Sequence, residues 1–286
     1  MDRREFLFTS LAFSTTALAA PPQRPPLRFG HRQANMVTAP GQDIFDVASK
    51  IPGLSGVELQ MIWKGQDLSD DLAQKDSPAA IYKQLSERTS IAVPSIAGIW
   101  KPGEKIFDLP VAEKAITNAI RTCEFFGAKT ILIALYSANC PDMSDEKSYA
   151  PVVTLLQKLG PRATDAGVSV GLETSLTPSD ENKLLGLIDR PALRTYYDAT
   201  NEEYYHPGVG LPGIEILGPR IVQCHLKNED RLLTEQPSRV DWVAAFKAFK
   251  KIHYHGWYVF ETKHASPERC IADTEANIAF VRSQLL

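Results

Sequence analysis

Glu173, Asp198, His225 and Glu261 are the residues of this chain whose types and spacing best suit chemistry. They follow one another at intervals of 25, 27 and 36 residues, about one strand-plus-helix unit each. Each stands near the end of a short apolar or β-branched run: Ser169–Thr174, Leu193–Asp198, Ile221–Lys227 and Tyr258–Lys263. Side chains alternate along a strand, so Ser169, Gly171 and Glu173 share one face, as do Ile221, Gln223 and His225, and Trp257, Val259 and Glu261. The run ending in Asp198 alternates less cleanly. Three carboxylates brought within a few ångströms would repel and raise one another's pKa, and a divalent cation removes that conflict. Three oxygen donors with one imidazole suit manganese first, with magnesium, cobalt or zinc as alternatives, and leave open positions for substrate oxygens. Taken singly, each residue reads as a loop cap or half of a salt bridge; four in register read as one site.

The elements that must position them alternate along the chain. Strand-like runs occur at Leu27–His31, Gly56–Met61, Ile91–Ala97, Lys129–Leu135 and the four segments above. Helical periodicity falls between them, at Gln42–Ile51, Ser77–Thr89, Val111–Phe126, Tyr149–Ala166, Asp241–His253 and Glu268–Leu285. Eight such units after residue 26 predict a single-domain (β/α)8 TIM barrel over 27–286, whose chemistry belongs at the C-terminal ends of the strands. No G-x-G-x-x-G turn follows a strand, which argues against a dinucleotide-binding doubly wound sheet. Walker-type lysine loops and G-x-S-x-G elbows are likewise missing from the sequence.

The segments GLET around Glu173, YYDATN around Asp198, CHLKNED around His225 and VFET around Glu261, with GVEL at Gly56–Leu59, resemble the sugar phosphate isomerase/epimerase group. These are xylose isomerase-like barrels, a superfamily shared with the family 2 AP endonucleases. The resemblance implies that Glu173, Asp198, His225 and Glu261 ligate one divalent metal ion, and that Glu173 and Glu261 also form the acid/base pair. It further implies a substrate-binding role for Arg231, six residues after His225. Two positions depart from the pattern. The family's histidine three residues after the ligand aspartate is Asn201 here, and an acidic substrate contact six residues after Glu173 is Ser179. The second departure argues against a free ketohexose as substrate.

The chemistry expected of such a site starts with a hydroxy-ketone whose carbonyl the cation polarises. Loss of the neighbouring C–H proton gives an enediolate, and a carboxylate with one free oxygen takes that proton. Return of the proton to the other face is epimerisation, and return to the neighbouring carbon is isomerisation. With a leaving group β to the carbonyl, as in a 3-keto-sugar or glycoside, the same step becomes a lyase or hydrolase reaction. A reading from another class is a non-catalytic exported carbohydrate-binding barrel. Further substrate contacts are expected from Lys227 and Asn201, from Glu58 on the second strand, from Trp100 after the third, and from His264 after the eighth. Trp63 and Tyr136 sit where a wall for sugar C–H faces would stand.

Composition sets the bounds. The chain has 286 residues, 44% hydrophobic and 23% charged, with a net charge of −3, which excludes disordered and collagen-like classes. A weakly acidic protein is a poor partner for nucleic acid, which asks for a concentrated cationic surface. The four cysteines, Cys123, Cys140, Cys224 and Cys270, show no C-x-x-C pairing and read as buried small apolar residues. Residues Met1 to Ala20 carry Arg3-Arg4 directly ahead of Phe6-Leu7, then an apolar run to an A-x-A site, Ala17-Leu18-Ala19. This reads as a twin-arginine signal peptide, followed by a proline-rich spacer over 21–26. The expectation is therefore a periplasmic or otherwise exported protein, handled by the Tat machinery, with no stable membrane span and scope for a homo-oligomer.

Overall fold

The computed structural model describes residues 26–286. The twin-arginine segment and nearly all of the spacer lie outside these residues. Eight strands, β1 (Arg28–Arg32), β2 (Gly56–Gln60), β3 (Ser95–Ala97), β4 (Thr130–Leu135), β5 (Ser169–Thr174), β6 (Leu193–Asp198), β7 (Ile221–Leu226) and β8 (Trp257–Phe260), pair in parallel in chain order. β8 returns to β1 and closes the barrel. Around them run α1 (Ile44–Ala48), α2 (Pro78–Thr89), α3 (Leu109–Phe126), α4 (Glu146–Asp165), α5 (Pro178–Ile188), α6 (Ala199–Tyr205), α7 (Gly210–Leu217), α8 (Trp242–Lys251) and α9 (Pro267–Leu285). The fold is the single-domain TIM barrel that the sequence predicts.

Local chemistry explains where the elements begin. Ser77, Thr177, Asp241 and Ser266 each cap a helix by accepting a backbone N–H of the first turn. Proline opens α2, α5 and α9, where its missing N–H costs nothing. Several predicted boundaries move for the same kind of reason. Asp43 caps α1 through Phe45 N and Asp46 N, so the helix expected from Gln42 starts at Ile44. Pro94 donates no ladder hydrogen bond, which confines the third strand to Ser95–Ala97. Three helices beyond those named from periodicity, α5, α6 and α7, complete the crossovers on either side of β6, and a small hairpin pairs Ile62–Trp63 with Gln66–Asp67.

The core lies between the strands and the helices. Outward-facing Phe29, Val57, Leu59, Tyr258 and Phe260 pack under helix residues such as Ile116, Leu156, Phe246 and Ile278. The barrel interior is small and partly polar. Ala97, Leu132 and Tyr196 form its apolar part, while Glu58, Ser95, Tyr196 and Gln223 join in a fully buried hydrogen-bonded floor. Gly171 makes room for this floor, because a Cβ there would stand 3.0 Å from the Tyr196 side chain and 3.3 Å from the Ile131 carbonyl.

Candidate metal centre

At the C-terminal mouth, β5, β6, β7 and the residue after β8 bring Glu173, Asp198, His225 and Glu261 together. One donor atom from each lies within 4.8 Å of all the others. The uneven alternation of β6 has a local cause. The pairing of β6 with β7 slips at Thr195/Tyr196, so that Tyr196 faces Gln223 and Asp198 faces His225. This bulge brings Asp198 level with His225, which a straight register from Thr195 would not do. Glu261 lies just beyond the ladder of β8, held by its backbone N–H donating to the Leu226 carbonyl at 3.0 Å.

His225 is aimed by the floor beneath it. Its Nε2 lies 3.0 Å from Glu58 Oε1, and the other Glu58 oxygen accepts from Ser95 Oγ at 2.8 Å and Tyr196 OH at 2.5 Å. A carboxylate only accepts, so Nε2 carries a proton and Nδ1 is the nitrogen turned to the cluster. Nδ1 stands 3.4 Å from Glu173, 3.5 Å from Glu261 and 3.9 Å from Asp198. Burial opposes a charge on His225, yet Glu58 and Glu173 outweigh it and raise the imidazole to about 9. Burial likewise pushes the Glu173 carboxyl up, while His225 and then Lys227 pull it down to about 2.

The remaining charges are balanced by two cations. Lys227 Nζ stands 2.7 Å from both Asp198 Oδ2 and Glu261 Oε2. Arg32, at the end of β1, donates to Glu261 Oε1 and lies 3.7 Å from Glu58. Asn201 Nδ2 donates to Glu173 Oε1 at 3.0 Å and approaches the Tyr136 hydroxyl at 3.3 Å. The residues fit a divalent cation. Oxygen and imidazole donors converge from four elements, and Asp198 Oδ2 is buried with no hydrogen bond of good geometry, only the Lys227 charge beside it. When bound there, a cation would replace the proton on His225 Nδ1 as the positive centre among three carboxylates.

The other expected site residues divide. Lys227 and Asn201 touch the cluster directly. Glu58 does not face substrate: it is fully buried with both oxygens engaged, and its place is under His225. His264 also turns away, because its ring is sealed against His31 and Asp273. Trp100 is half-buried and donates its indole N–H to the Ala134 carbonyl at 3.0 Å, so it can offer a surface but no hydrogen bond. Arg231 lies exposed in the loop after β7, and among the described residues its side chain has no hydrogen-bond or ion-pair partner. Arg32 and the Ser95–Tyr196–Gln223 floor escaped the sequence reading. Extending the first strand by one residue puts Arg32 on the inward face with Gly30, which is the signal that could have found it.

No curated protein matches the chain, but solved structures align over nearly all of it. D-allulose 3-epimerase from Methylomonas sp., in complex with D-allulose, aligns with a TM-score of 0.71 and 16% identity over 92% of this chain and 98% of that one. The 3-keto-D-glucoside 4-epimerase from E. coli does so at 0.67 and 13%, over 90% and 100%. The IOLI protein with a bound zinc atom aligns at 0.69 and 16%, over 91% and 99%. At such identities the likeness speaks for the fold. The sequence model described as xylose isomerase-like TIM barrel matches residues 45–284, a stretch that contains all four converging donors, and the chain belongs to that family.

Proposed function

We propose that the protein is a divalent-metal-dependent sugar isomerase or epimerase, working by proton transfer next to a carbonyl. One observation carries the reading: three carboxylates and a histidine converge at the barrel mouth, with His225 Nδ1 turned to them by Glu58. A pure binder has no need of two glutamates converging beside an aspartate and a histidine. The sugar epimerases among the structurally similar proteins support the same class.

Bound there, a divalent cation would polarise the carbonyl of a hydroxy-ketone and hold the charge left by proton removal. The chain's own residues supply the proton traffic. Glu173, held ionised by His225 and Lys227 and oriented by Asn201, is placed to accept a proton from the carbon beside the carbonyl. Glu261 approaches from the β8 side, between Arg32 and Lys227, and is placed to exchange a proton at the other face or the neighbouring carbon. Lys227 and Arg32 offer N–H donors to substrate oxygens as negative charge develops. The Tyr136 and Tyr205 rings, 5.9 Å apart and nearly parallel, stand beside Asn201 as an apolar border. Manganese remains the first choice of metal for an oxygen-rich set, with zinc as the competitor.

The test is a screen of keto-sugars and 3-keto-glycosides in D2O, read by NMR, with metal-loaded protein. The expected product carries deuterium at the reacting carbon, and Glu173→Gln or Glu261→Gln lowers the rate by about 10^2–10^4. Turnover without deuterium would refute enediolate chemistry, and a purified protein that takes up no metal would refute the site. We also infer export by the twin-arginine route, supported by Arg3-Arg4 and the apolar run behind them. Replacing both arginines by lysine should leave the protein in the cytoplasm; secretion unchanged by that replacement would overturn the inference.

A further inference from the structure

Beneath the outer face of the barrel lies a second cluster, separate from the mouth. His31 is on β1, paired with Val57 and Phe260, so it shares their outward face. His264 lies between β8 and α9, and Cys270 is in the first turns of α9. One donor atom from each of these three lies within 4.8 Å of the others, and His31, Cys270 and the His264 ring are all sealed from solvent.

The hydrogen bonds around the two imidazoles decide their tautomers. His31 Nδ1 lies 3.1 Å from the Arg32 carbonyl. A carbonyl oxygen only accepts, so Nδ1 carries the proton and Nε2 holds a lone pair. His264 Nδ1 lies 3.3 Å from Asp273 Oδ2, and Arg269 binds the other oxygen of that carboxylate at 2.7 Å. An ionised carboxylate also only accepts, so this Nδ1 is protonated and its Nε2 too holds a lone pair. The two Nε2 atoms face each other at 3.0 Å. Two lone pairs at that distance repel unless something positive lies between them, either an extra proton or a metal ion.

A proton is the weaker candidate. A shared proton would satisfy the two ring nitrogens and leave the Cys270 donor, which converges on the same place, without a part. Cys270 adds a soft donor on the same side, and a cation at the site would take it as thiolate. Asp273 stands to His264 as the carboxylate that fixes the tautomer of a ligating histidine.

We propose that His31, His264 and Cys270 form a second metal site that takes a borderline-soft cation of the zinc class and ties α9 and the loop after β8 to β1. The donor set differs in kind from the mouth: two imidazoles and a thiolate select zinc or copper(I), whereas three carboxylates and one imidazole select harder ions. Its position also gives it a structural task, since β1 and β8 are the pair that closes the barrel. A cation there would bind the first strand to the last helix.

Cobalt(II) separates the two sites, because only the second contains sulfur. Titrating the metal-free full-length protein with cobalt should raise a thiolate-to-cobalt charge-transfer band in the near ultraviolet and bring uptake to two ions per chain. Cys270→Ser should abolish the band and leave one ion per chain. Glu173→Gln should keep the band. His264→Asn should weaken cobalt binding at the band by at least tenfold, and zinc should bleach it in the wild type. No band in folded wild-type protein overturns the proposal and leaves a shared proton between the rings. A band that survives Cys270→Ser overturns it equally. The wild-type measurement needs no variant to fold, and it stands whether or not the site at the mouth is catalytic.

Discussion

Lys227 holds the mouth together in the metal-free protein, and Lys227→Met measures how much. Its Nζ sits 2.7 Å from Asp198 Oδ2 and 2.7 Å from Glu261 Oε2, with the lysine side chain 16% exposed and the two acids 1% and 12%. At an effective dielectric of about 20, each pair attracts by about 6 kcal/mol before desolvation is subtracted. Methionine keeps the length and apolar stem but takes from Asp198 Oδ2 its one close cation and leaves Glu261 with Arg32 and His225. Breaking a buried pair in this way costs about 3–5 kcal/mol, which for a chain of this size lowers Tm by about 5–8 °C in chelator. If the site takes manganese(II) as proposed, a hundredfold excess over the dissociation constant should stabilise the wild type by about 2.7 kcal/mol. The variant should gain more, because the ammonium no longer competes for the same carboxylate oxygens. The assay is thermal and urea unfolding with manganese(II) and with EDTA, for both proteins. If the variant matches the wild type in EDTA, or gains no more from manganese, the electrostatic account of this site is wrong.

Removing the carboxylate behind His225, by Glu58→Ala, should weaken divalent-metal binding about 10–100-fold by titration calorimetry, because Nε2 loses the partner that fixes the ring; unchanged affinity would show that the ring needs no such support. Burial raises the Glu181 carboxyl from 4.5 to about 7, against the hydroxyls of Thr195 and Thr174. The folded chain therefore keeps this proton where the unfolded chain has lost it, so the contribution is fully present below about pH 4.5 and lost as pH rises to about 7. Glu181→Gln should recover up to about 3 kcal/mol at pH 8 and little at pH 5; equal gains at both pH values by urea unfolding would contradict it. Phe246 is fully buried among Trp242, Phe249, Tyr258 and Phe280. Phe246→Ala should cost about 3–5 kcal/mol, with metal affinity at the mouth unchanged because the residue lies outside the barrel wall.

The sequence by itself determined the barrel and its four donors, because both depend on local periods. Alternating apolar runs define strands, capping residues start helices, and a side chain two residues from another points the same way. Glu173, His225 and Glu261 were legible for that reason, and Asp198 less so, because its alignment depends on a bulge against β7 that no period within β6 records. Tertiary structure alone decided what stands around them. Glu58 and His225 are 167 residues apart, and nothing along the chain says that one will lie under the other and settle which nitrogen faces the cluster. The same holds for Arg32 against Glu261, and for His31, His264 and Cys270, which read singly as a strand residue, a substrate contact after the last strand and a small apolar residue. Closure of β8 onto β1 makes neighbours of residues more than two hundred positions apart, and hydrogen-bond direction and charge balance exist only once they touch.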